Sequence, residues 1–147
     1  MLISIWIIQG ICMLVDEFYF HHKRGLGKWE SWGHPIDSFL FLSCFLYAYF
    51  FSYSKENEMF FWILSILSCL IITKDEFIHA KQSSAPENYL HAFLFILHPL
   101  ALLVLYRFWS LENSFFILIQ ILIITFFMLY QILYWNFLRK NPYAISN

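Results

Sequence analysis

The sequence predicts an all-α integral membrane protein: one domain, built as a bundle of five transmembrane helices. Three observations carry that reading. Of the 147 residues, 61% are hydrophobic and only 13% are charged, with a mean hydropathy of +0.62. Soluble domains run nearer about 45–50% apolar and about 25% charged. Five apolar stretches approach the roughly 20 residues that a bilayer-crossing helix needs. Finally, seven of the ten acids and all six histidines are not scattered but gather near one end of those stretches.

The predicted spans run near Leu2–Phe20, Ile36–Tyr53, Met59–Ala80, Glu87–Trp109 and Ser114–Leu138. The first is not read as a signal peptide, because it lacks a basic leader and Asp16-Glu17 stands where small residues would be cleaved. Connections too short for a soluble domain make the helices alternate in direction. Lys23, Arg24, Lys28, Lys74, Lys81, Arg139 and Lys140 then fall on one face, against Lys55 and Arg107 on the other. The excess of Lys and Arg makes the first face cytoplasmic and puts the N-terminus outside, as in a bacterial cytoplasmic membrane. Trp29 and Trp32 in the first cytoplasmic loop suit an interfacial belt. A net charge of −1 excludes a basic nucleic-acid binder. Three cysteines, each inside an apolar run, do not form a disulfide framework.

Spans one to four read as two copies of a helical hairpin. Asp16-Glu17-Phe18 recurs as Asp75-Glu76-Phe77, followed by His21 and His79 respectively. After a loop, Glu30…His34 recurs as Glu87…His91. The expected organisation is repeat A over residues 1–53, repeat B over 59–109 and an added helix over 114–138. The two copies would be related by an axis along the membrane normal. The fifth span has no acid or histidine, only Gln120 and Gln131, and reads as a scaffold or lipid-facing helix.

Residues three or four apart share a helix face. Glu17 with His21, Asp75 or Glu76 with His79, and Glu87 with His91 can therefore each aim a carboxylate and an imidazole at one place. Seven of the ten acids and all six histidines lie in this half, where burial without partners costs several kcal/mol in total. A bound cation would satisfy many of them at once. The expected metal ligands are Glu17, His21, Glu30, His34, Asp75, Glu76, His79, Glu87 and His91. Asp16 is expected to orient a ligating histidine, with either acid of the Asp16-Glu17 and Asp75-Glu76 pairs open as the ligand, and His22, Asp37 and His98 to serve in a second layer or against substrate. His34-Pro35 is expected to precede the second helix, with Pro35 at its first position and Asp37 at its positive end.

The carboxylate and imidazole motifs in Asp16–Asp37 and Asp75–His98 resemble those of the membrane-embedded di-iron hydroxylases and desaturases. They share ligand chemistry and the placement of motifs near cytoplasmic helix ends. The HxxxH and HxxHH boxes of that group are absent here. The resemblance implies two iron ions, with Zn or Mn as other occupants. It also implies oxidation of a lipid or other apolar molecule from the bilayer, and a separate electron donor. The alternatives are a membrane zinc hydrolase, a metal transporter or sensor, and a haem protein.

Overall fold

A computed structural model describes residues 2–75 and 83–139. Among them the chain is helical throughout, with five helices and no strand. These are α1 (Leu2–Arg24), α2 (Lys28–Phe50), α3 (Lys55–Lys74), α4 (Ala85–Ser110) and α5 (Ser114–Leu138). All except α2 are long and apolar enough to cross a membrane. Their outward faces carry Ile7, Ile11, Ile63, Phe93, Ile123 and Phe126, all exposed. That is far more apolar surface than a protein in water presents, and it suits lipid.

Helix α4 is the centre of the bundle and touches the other four. Its inner face is apolar over Ala101–Trp109, where Ala101, Leu102 and Leu105 are almost fully buried. Small Ala101 lets α1 approach closely, and the Trp6 indole donates to the Ala101 carbonyl at 3.0 Å. Around that contact Trp6 stacks on Phe108 (5.0 Å between ring centres) and tilts against Phe45 (5.6 Å). Lipid is as apolar as these side chains, so close packing and dispersion, rather than escape from water, hold such a core.

The second helix begins at Lys28, well before the expected Ile36. Two local features extend it. The Gly27 amide donates to Glu30 Oε2 at 3.2 Å, closing the helix start onto its third residue. Pro35 then falls inside the helix, where its ring removes the donor for the Ser31 carbonyl four residues back. Asn136 on α5 replaces it: its Nδ2 donates to Ser31 O at 3.0 Å. His34 therefore lies within the helix. Trp29 and Trp32 occupy its first turns, both exposed, still placed for an interface.

The fifth helix also differs from the expectation. It packs along α2 more extensively than any other pair packs, and it presents Gln131, Trp135 and Asn136 inward. The bundle thus folds with α2 inside, between α5, α3 and α4. Hairpins α1–α2 and α3–α4 follow the expected chain order. Both α2 and α4 carry a glutamate as the third residue, Glu30 and Glu87.

Candidate metal centre

The last part of α1, Asp16–His21, is a π-helical turn. Its wider winding sets residues five apart on one face, whereas an α-turn would favour spacings of three and four. Asp16 and Glu17 both reach His21 as a result. Asp16 Oδ2 lies 3.3 Å from His21 Nε2, and Glu17 Oε2 lies 3.6 Å from His21 Nδ1. From α4, His91 brings Nε2 to 2.8 Å from Asp16 Oδ1. His34 of α2 stacks on His21 with ring centres 4.7 Å apart.

Asp16, His21, Glu87 and His91 each offer one ligand atom within 4.8 Å of the others, and all four are buried. Donors bound at about 2.0–2.2 Å to one ion sit about 3 Å from each other, so the set is close to what a small transition-metal ion requires. Two imidazoles with one or two carboxylates suit iron, zinc or manganese and do not suit soft-metal or calcium sites. Of the Asp16-Glu17 pair, Asp16 is thus the acid at the middle of the set, because the π-turn brings it onto the His21 face.

Arg24 closes the floor beneath. Its Nη1 and Nη2 donate to both oxygens of Glu30 (3.0 and 2.8 Å), and its Nε donates to Glu87 Oε1 at 3.1 Å. Glu87 Oε2 also accepts from the Ser84 amide at 3.3 Å, as Glu30 accepts from Gly27. Both glutamates therefore cap their own helices while sharing one guanidinium. Glu30 does not belong to the four-residue set; its two oxygens are held by Arg24.

Glu17 is fixed from α5. Its Oε1 accepts from the Trp135 indole, and its Oε2 accepts from Gln131 Nε2 at 3.3 Å. Gln131 Oε1 in turn accepts from the Ser38 hydroxyl at 2.9 Å. Gln131 and Trp135 are four apart on a mostly apolar helix. That spacing was the available sign that α5 has an inward polar face.

The remaining expected residues are placed as follows. Asp37 is held at 2.7 Å through each oxygen by Lys74. His22 turns to α5, hydrogen-bonded to Tyr130 at 2.8 Å and stacked on Tyr134. His98 lies deeper, bonded to the Ser68 hydroxyl at 2.9 Å and facing Phe41. The expected ligands Glu76 and His79 lie outside the described residues, as does the side chain of Asp75.

A cavity of about 240 Å³ rises from this cluster through the bundle. Asp16, Glu17, His21, His34 and His91 line its floor. Its walls are mostly apolar, with Phe41, Leu94 and Phe95 among them, relieved by Gln9, Gln120 and His98. Trp6 lines its far end. Buried donors and acceptors at the base of an apolar chamber are the usual form of a small-molecule site. Comparison with known protein families, curated proteins and solved structures gives no match for this chain.

Proposed function

We propose that the chain is a membrane-embedded metalloenzyme that oxidises a lipid or other apolar molecule at the cytoplasmic side of the bilayer. The observation that carries the reading is the convergence of Asp16, His21, Glu87 and His91, from two helices, at the base of an apolar cavity. Iron is the occupant the reading favours, because two histidines and a carboxylate with open positions form the ligand set of non-haem iron oxygenases. When bound there, iron would supply the one-electron and dioxygen chemistry that protein side chains lack. A second iron is the finer form of the proposal; it would draw on Glu17 and His34 here and, by sequence, on Glu76 and His79. The electron donor would be a separate protein.

The chain's own residues have separable tasks. Asp16 bridges the two imidazoles and sets their spacing. Arg24 fixes Glu87, and with it the start of α4 that carries His91. Gln131 and Trp135 hold Glu17 against His21. Phe41, Leu94 and Phe95 keep the space above the floor apolar, which excludes water and favours a hydrocarbon over a polar substrate. The zinc hydrolase reading would need Glu17 as a free base for water. The ligand pattern of two histidines with a carboxylate, Asp16, His21 and His91, favours the oxidative reading over it.

Metal analysis of the detergent-purified protein tests this. One or two irons per chain are expected, lost in both Asp16→Ala and His91→Ala while the helical circular dichroism signal persists. Zinc alone, or full iron occupancy in both variants, would overturn the assignment.

A further inference from the structure

We propose that the occupant of the cavity is one acyl chain of a bilayer lipid, admitted sideways between α1 and α5 through the gap that Gly10 leaves. The proposal rests on the function above only in calling the cavity floor the reacting end.

The two helices that flank the cavity meet side chain to side chain at their cytoplasmic ends. There Trp135 bonds Glu17, Phe18 meets Tyr130 (5.1 Å) and His22 stacks on Tyr134 (4.7 Å). Nearer their middles the arrangement differs. Gly10 and Leu14 of α1, and Ile123 and Phe127 of α5, all line the cavity. Gly10, Leu14 and Ile123 are at the same time exposed on the outside of the bundle. Residues that border both the chamber and the lipid-facing surface mark an opening. A Cβ built on Gly10 would meet nothing within 4 Å, so this glycine is not a close-packing contact between helices. It is a missing side chain in the wall.

The chemistry of the chamber selects the occupant. From Asp16 to Trp6 is ten residues of helix, about 15 Å. Along that length the walls change from clustered carboxylates and imidazoles to mostly apolar groups such as Phe41, with Gln9, Gln120 and His98 as single polar interruptions, and end at Trp6, which stacks with Phe45 and Phe108. An acyl chain has the same polarity gradient. Its ester end fits beside the buried histidines, level with the headgroups, and its methyl end points to Trp6. Lateral admission avoids dragging the chain through water, where each buried methylene is worth about 0.8 kcal/mol against the transfer.

Photolabelling tests this in nanodiscs of phosphatidylcholine doped with phosphatidylcholine that carries a diazirine on one acyl chain. Adducts are mapped by mass spectrometry. A diazirine at the methyl end should label Trp6 and Phe41, and one near the ester should label Leu94, with outward Phe126 labelled by both. Gly10→Trp and, independently, Ile123→Trp should cut the inner adducts by about tenfold or more, the scale on which a filled pocket rejects an added group. Gly10→Ala should leave them. Labelling of Phe126 is the control for folding and insertion. Inner adducts unchanged in both Trp variants would overturn the lateral route. Wild-type protein without inner adducts, or with the two ends reversed, would overturn the acyl chain or its direction. Because labelling requires no metal, it separates this proposal from the assignment of iron: a protein that takes up the chain but holds no iron refutes only the function, and the converse refutes only the access route.

Discussion

The two ends of the bundle both concentrate polar side chains, yet they use them in opposite ways. At the end that carries the α2–α3 connection, Glu58 is half-buried and accepts from Tyr106 (2.8 Å), Tyr53 (3.3 Å) and Trp62 (3.4 Å). These rings surround one carboxylate among further aromatics, Phe61 and Trp109. Amphipathic rings with one wet edge are what a membrane interface favours. At the opposite end, Asp16, Glu17, Glu30 and Glu87 are all buried, and imidazoles and a guanidinium replace the phenols. An interfacial carboxylate can trade a lost partner for water. A buried one cannot, and the cost of leaving it unpaired rises accordingly. The ends therefore differ in how much each residue matters, and substitutions can be ranked on that basis.

The largest effect is expected from Arg24→Ala, which strands two buried glutamates at once. A loss on the order of 3 kcal/mol should appear as a lowered midpoint in thermal or denaturant unfolding in detergent. Arg24→Lys should recover little of it, since an ammonium cannot span both oxygens of Glu30 while also reaching Glu87. Full stability in Arg24→Ala would erase the contrast between the two ends.

Next is the carbonyl that Pro35 leaves without its helix partner. Asn136→Leu should cost about 1–2 kcal/mol by orphaning Ser31 O. In a Pro35→Ala background the new amide can donate to that carbonyl, so the same Asn136→Leu change should cost much less. A double-mutant cycle measured by unfolding reads the coupling directly. Additive effects would show that Asn136 contributes by packing alone.

The smallest effect is expected at the Glu58 end. Glu58→Gln keeps an acceptor for Tyr106 and sits where water can reach. The unfolding midpoint should hardly move, and metal content should be unchanged. A shift as large as that of Arg24→Ala would mean that the Glu58 cluster is not an interface.

Much of this was legible in the chain itself. Composition predicts an apolar sleeve, and the apolar stretches fall within a few residues of α1, α4 and α5 and of the start of α3, the expected end of the third span at Ala80 lying outside the described residues; α5 ends at Leu138 as expected. Crowding of acids and histidines at one end was also readable, since hydropathy and residue type are local properties. Three features were not. The start of α2 depends on a carbonyl satisfied by Asn136, more than a hundred residues away. Asp16 joins the metal set because of a π-turn, which no residue spacing announces. The assignment of Glu30 to Arg24 rather than to the ligand set follows from which cation lies nearest in space.

The sequence by itself determined that this chain must bury an unusual group of carboxylates and imidazoles inside an apolar bundle, because a low overall charge concentrated in two motifs permits little else. Only the tertiary structure decided how that group divides. Arg24 takes Glu30 and shares Glu87, Lys74 takes Asp37, and α5 takes Glu17 and His22, which leaves Asp16, His21 and His91 facing one another with Glu87 beside them. The physical reason is that ionic and hydrogen-bonding partners are chosen by distance and geometry between helices, and these exist only once α4 has packed against all its neighbours.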